Sequence, residues 1–180
     1  MLVFIPTVGA QDAYLENHPG YFDFSSFEAF AVEGKSVDVS LDESLIGFMA
    51  ATVEEKSAEA AEALKQIKRI AVRVFEIEDK DSREIKDQAA AMEQQLLREN
   101  WRKVVRVNED DESVFVFMKY SGTLIEGLAV IVIELGDEAV FVNLVGEIDP
   151  KTLGTLMKNA ELFKEAGLED FLDDMDMDLD

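Results

Sequence analysis

Three runs decide the architecture of this chain: SVFVFMKY (Ser113–Tyr120), LIEGLAVIVIEL (Leu124–Leu135) and AVFVNLVGEI (Ala139–Ile148). β-Branched and aromatic residues dominate each run, and turn-forming residues separate them: Tyr-Ser-Gly-Thr ending at Thr123, and Gly136-Asp137-Glu138. They read as an antiparallel meander of two hairpins. A four-residue first loop sets Lys119 opposite Glu126, Phe117 opposite Leu128 and Phe115 opposite Val130. A two-residue Gly136-Asp137 turn sets Val132 beside Phe141, Val130 beside Asn143 and Glu126 beside Glu147. On that register the other face carries Val114, Val116 and Met118, then Ala129, Ile131 and Ile133, then Val140, Val142 and Leu144. Both faces are apolar, so both call for cover.

Upstream, Ser36–Leu41 alternates as a strand, and Ser40 with Glu43 has capping-box spacing at the start of a helix. Its apolar stripe of Leu45, Met49 and Val53 thins at Glu54-Glu55-Lys56-Ser57 and resumes through Ala60, Ala61, Leu64 and Ile67, which predicts a bend or two short helices. Ile70–Glu78 is a second strand. Ile85, Ala89, Met92 and Leu96 recur at helical spacing until Asn100, an end signal. Trp101–Val107 forms the strand that leads into the meander, with Trp101, Lys103, Val105 and Val107 on one side. Asp149-Pro150 then cap and open a last helix. The expectation is a mixed α/β, or α+β, domain: a twisted, largely antiparallel sheet with helices packed on it, βαβα followed by a β-meander and a C-terminal helix.

Composition bounds the function classes. The 180 residues suit one domain, and a 48% hydrophobic content supplies a sizeable core. With 39 acidic against 17 basic residues the net charge is -22, which repels phosphate backbones and anionic headgroups and argues against nucleic-acid binding. The chain has no cysteine and a single histidine, His18, so disulfides, thiolate metal sites and cysteine nucleophiles are excluded. No apolar run approaches the length of a membrane span. Nor is there a phosphate-cradling glycine loop; no cofactor is expected.

The ends differ from the middle. Leu2–Ala10 is apolar and small, ending Val-Gly-Ala before Gln11, and reads as the remnant of a signal peptide without its positive start. Residues 11–166 form the single domain. The aromatics Tyr21, Phe22, Phe24, Phe27 and Phe30 are expected to dock on its core. Residues 167–180 are an acidic amphipathic tail in which Phe171, Leu172 and Met175 offer a partner-binding stripe. Its Asp-x-Asp spacing lacks the glycine and closing glutamate of a calcium loop, so no metal is expected.

Several fixed-looking features resemble a bacterial family catalogued as domain of unknown function 4252. They are Gly20-Tyr21-Phe22-Asp23-Phe24, Trp101 followed by a strand, Lys119-Tyr120-Ser121-Gly122, the long apolar strand through Glu134, and the run from Val142 to Asp149. The resemblance implies a small exported envelope protein of Gram-negative bacteria with no assigned activity. Some such proteins are lipid-anchored. Here no cysteine follows the leader, so a soluble periplasmic or secreted form is expected.

The polar residues that stand out in the meander are Lys119, Glu126, Asn143 and Glu147. A cross-strand Lys119–Glu126 pair and an Asn143 bonded to backbone or water give them a structural role. Convergence in a cleft would instead make them a ligand or catalytic cluster. The favoured class is a non-catalytic interaction module whose second sheet face or tail engages an envelope protein or a second copy. An enzyme or small-ligand binder acting through the polar cluster is the alternative.

Overall fold

The structure, a computed structural model, describes residues 15–78 and 82–158. The leader and the tail, with Phe171, Leu172 and Met175, lie outside those residues. Strand β1 (Ser36–Asp42) runs straight into helix α1 (Glu43–Val53). Asp42 caps the helix, its carboxylate accepting the N–H groups of Ser44 and Leu45, each at 2.9 Å. The cap is therefore two residues later than the expected Ser40, which stays in the strand opposite Ala71. Ser57 caps α2 (Ala58–Leu64) by accepting the N–H of Ala60 at 3.1 Å. Ile67, expected in the helix, instead begins β2 (Ile67–Glu76).

Helix α3 (Ser82–Arg98) ends where Asn100 takes a positive φ of 65°. The N–H of Trp101 reaches back to the carbonyl of Leu96, and that of Asn100 to Leu97, which satisfies the last carbonyls of the helix. Strands β3 (Arg102–Asn108), β4 (Glu112–Ser121), β5 (Leu124–Glu134) and β6 (Glu138–Ile148) follow, then helix α4 (Pro150–Lys158). Asp149 opens α4, its carboxylate accepting the N–H of Lys151 at 2.8 Å. The fold is α+β, with one six-stranded antiparallel sheet in the order β1-β2-β6-β5-β4-β3.

The register differs from the sequence expectation by one residue along β5. At the tip Tyr120 pairs with Ile125, but Lys119 pairs with Gly127, so Glu126 is an extra residue in a bulge. Phe117 therefore faces Ala129 and Phe115 faces Ile131. The second turn is Leu135-Gly136-Asp137, three residues rather than two, with Gly136 at φ 77°. It sets Ile131 opposite Phe141 and Val132 opposite Val140. A slip of one residue turns every β5 side chain to the other face. A bulge between Lys103 and Val105 likewise places those two residues on opposite faces rather than together.

The corrected register separates two kinds of face. One carries Phe75, Ala139, Phe141, Ala129, Ile131, Ile133, Phe115 and Phe117, and is covered by the N-terminal aromatics and α3. Phe24 and Phe27 pack on Phe141 with ring centroids at 5.0 and 4.7 Å. Ile85, Ala89, Met92 and Leu96 form the buried stripe of α3. Trp101 lies edge-on to Phe22, its indole N–H lacking a hydrogen-bond partner. Among the described residues, the second face is covered at one end, by a cluster in which Ile46, Ala50 and Val53 of α1 and Ala60, Ala61 and Leu64 of α2 pack with Ile67, Ile125 and Ile148. Both faces were expected to need cover; among the described residues, only part of the second face receives it.

Candidate functional site

Asn143 points into the covered face and is fully buried. Its amide oxygen accepts the N–H of Phe22 at 3.1 Å. Its amide nitrogen donates to the carbonyls of Gly20 at 3.0 Å and Leu128 at 3.2 Å. Two of its three hydrogen bonds thus hold the N-terminal segment against the sheet, and the third ties β6 to β5. Lys119 points elsewhere, donating to the carbonyl of Glu99. Glu147 forms an ion pair with Lys68 at 3.0 Å, and that contact and charge hold its carboxyl below the usual carboxylate range. Glu126 sits half-buried in the bulge.

The cluster expected from sequence is therefore divided. Glu126 and Glu147 share the field of His18 and Lys68 instead of joining Lys119 and Asn143. Burial first, and then Lys68, lower the pKa of His18, while the two carboxylates oppose that shift. The imidazole Nδ1 accepts the N–H of Gly20 at 3.1 Å, so His18 folds its own turn. His18 and Lys68 were missed because both are remote in sequence from the meander. A cleft of about 400 Å³ lies elsewhere, beside edge strand β1, lined by Glu28, Gly34, Val37, Asp38, Arg73 and Phe75 among others. Its guanidinium is already engaged, since Arg73 bonds Glu28 and also Asp38 at 2.7 Å. Among the described residues, no group of three or more histidine, aspartate or glutamate side chains is placed to hold a metal ion.

The second sheet face has a different character. Val37, Val74, Val140, Val132, Val114 and Val107 lie opposite one another in turn, one from each strand. Two residues along, Val39, Val72, Val142, Val130, Val116 and Val105 make a second unbroken row. The third row, Leu41, Ile70, Leu144, Leu128 and Met118, ends in Arg102, and the helical cluster of α1 and α2 packs on Leu41, Ile70, Leu144 and Met118. The valine rows lie beyond that helical step and form a shelf, with Val37 58%, Val105 40% and Val107 39% exposed on the edge strands, Val72 buried, and the remaining valines half-buried. Six strands spaced about 4.8 Å apart make the shelf about 24 Å long, and its rows are separated by about 6.7 Å.

Glutamates border the shelf on the side away from the helices. Glu76 lies opposite Glu138, and Glu112 opposite Glu134, each two residues beyond a valine of the first row. Lys35 pairs with Glu76 at the β1 end. Arg102, Lys103 and Arg106 lie at the far edge on β3, where Arg102 stacks over Tyr120 and Lys103 pairs with Glu93.

No described helix is long and apolar enough to cross a membrane. No curated protein and no solved structure matches the chain. The model of one family, described as Domain of unknown function (DUF4252), matches residues 30–156, a span running from the end of the aromatic segment into α4 and including the whole sheet. The chain belongs to that family.

Proposed function

We propose that this protein is a non-catalytic interaction module of the bacterial cell envelope that takes a protein partner on its valine shelf. The observation that carries the reading is the pair of unbroken six-valine rows beyond the helical step, exposed at Val37, Val105 and Val107 on the edge strands and half-buried elsewhere, with Val72 alone buried. Solvating so much apolar surface has a free-energy cost of about 25 cal/mol per Å², which a partner removes. The envelope assignment rests on the leader-like Leu2–Ala10 and on the family resemblance. Burial of Asn143 and engagement of Lys119 by backbone turn the meander's polar residues toward holding the fold.

The test places a photo-crosslinking residue at Val105 or Val116, and at Thr123 on the hairpin tip as a control. The captured protein is then purified and titrated against the native chain and against Val116→Thr with Val130→Thr, which keeps side-chain shape while making the shelf polar. The reading requires adducts from the shelf positions only, and an affinity about ten-fold weaker for the threonine variant at unchanged thermal midpoint. Adducts only from Thr123, adducts only between copies of the chain, or equal affinity for both shelves would overturn it.

A further inference from the structure

We propose that the occupant of the shelf is an amphipathic helix with lysine or arginine along one flank. This rests on the reading of the shelf as a docking surface and adds the chemistry of what docks. The two long sides of the shelf differ. On one stand α1 and α2 with an apolar margin at Leu41, Ile70, Leu144 and Met118. On the other runs the carboxylate row of Glu76, Glu138, Glu134 and Glu112.

Like charges directly opposite each other weaken a sheet, and in this row Glu112 stands opposite Glu134, whereas Glu76, opposite Glu138, is paired with Lys35. A cationic flank laid along it relieves that repulsion on binding. The same row disfavours the other occupants. A second copy brings its own glutamates and another net charge of -22, the tail 167–180 is rich in aspartate, and an anionic membrane is repelled. Dimensions select a helix: its diameter of about 10 Å spans the two rows, and about 16 residues at 1.5 Å each cover the length of the shelf.

The probes are two synthetic peptides of about 16 residues sharing one leucine stripe, one with lysine and one with glutamate on the flank. Binding to the full chain is measured by fluorescence anisotropy at about 50 mM and about 500 mM salt. The lysine peptide should bind about ten-fold or more tightly at low salt, and its advantage should shrink at high salt. Replacing Glu76, Glu112, Glu134 and Glu138 with glutamine should abolish the preference; the change at Glu112 and Glu134 relieves repulsion and the exposed Glu76–Lys35 pair contributes little, so the variant should fold. Equal affinities for the native chain, or a preference that survives in the glutamine variant, would overturn the basic flank while leaving the shelf in place. If neither peptide binds, or if Val116→Thr with Val130→Thr leaves binding unchanged, the docking surface itself fails and this inference with it.

Discussion

The side-chain oxygen of Asn143, on β6, accepts the backbone N–H of Phe22 at 3.1 Å, joining the N-terminal segment to the middle of the sheet. The same amide donates to the carbonyls of Gly20 and Leu128, so one side chain satisfies two buried backbone groups and one part-buried one. The Phe22 and Phe24 rings then close over Trp101 and Phe141.

Asn143→Ala should lower stability by about 3 kcal/mol, because it strands buried polar groups that water cannot reach. Chemical denaturation measures this from the shift in midpoint at constant slope. A loss under about 1 kcal/mol would mean that the segment is held by its aromatic rings alone.

Glycine at the crossing is required by space. A Cβ at Gly20 would stand 1.7 Å from the carbonyl oxygen of Glu126, and one at Gly127 would stand 2.5 Å from the Cα of Gly20 and 2.6 Å from the Trp101 ring. Gly20→Ala and Gly127→Ala should each cost about 3 kcal/mol as the two backbones are forced apart. Gly47 is the internal control: it lies within α1 with nothing within 4 Å of an added Cβ. Gly47→Ala should stabilise by about 0.5 to 1 kcal/mol through helix propensity. The opposite signs, read from thermal midpoints, separate close approach from conformational entropy.

The strands were legible in the sequence because β-branched alternation is a local property, and the Asn100 end of α3 was legible because its cap chemistry is local too. Register was not. Glu126 looks like an ordinary strand residue, and nothing nearby in sequence reveals that it is the extra residue of a bulge beside the Gly20 crossing. With β5 turned over, the phenylalanine and valine strands were mixed between faces, so the rows that form the shelf could not be seen. Lys68 and His18 meet Glu147 and Glu126 only through the pairing of β2 with β6 and the return of the N-terminal segment.

The pH dependence of stability should carry a His18 component with a defined window. Burial and Lys68 hold the imidazole below its ordinary value of 6.5, so the folded chain binds its proton less readily than the unfolded chain. Its contribution is whole above 6.5 and is lost as pH falls from there through the lowered folded value. His18→Gln should flatten the fall in thermal midpoint between about pH 7.5 and pH 5.5. The Glu147 carboxyl, lowered chiefly by its contact with Lys68 and also by His18, acts in a more acid window: its contribution is present above 4.5 and disappears as pH falls below it. An unchanged slope in the His18 variant would show that its imidazole does not report the folded state.

The glutamate row makes a prediction about the unbound protein. Glu112 and Glu134 are cross-strand partners, so their carboxylates oppose each other at the end of the β4–β5 ladder. Glu134→Gln should raise stability by about 0.5 kcal/mol at low salt, and Glu112→Gln should do the same. The double variant should gain no more than either single one, because the first substitution already removes the shared repulsion. Salt at about 500 mM should erase all three gains, since these side chains face solvent and their field is screened within a few ångströms. Additive gains would assign the effect to each residue's own propensity, and gains that persist at high salt would assign it to packing. A non-additive, salt-sensitive cycle is the pattern expected if the row stores repulsion that a cationic partner can relieve.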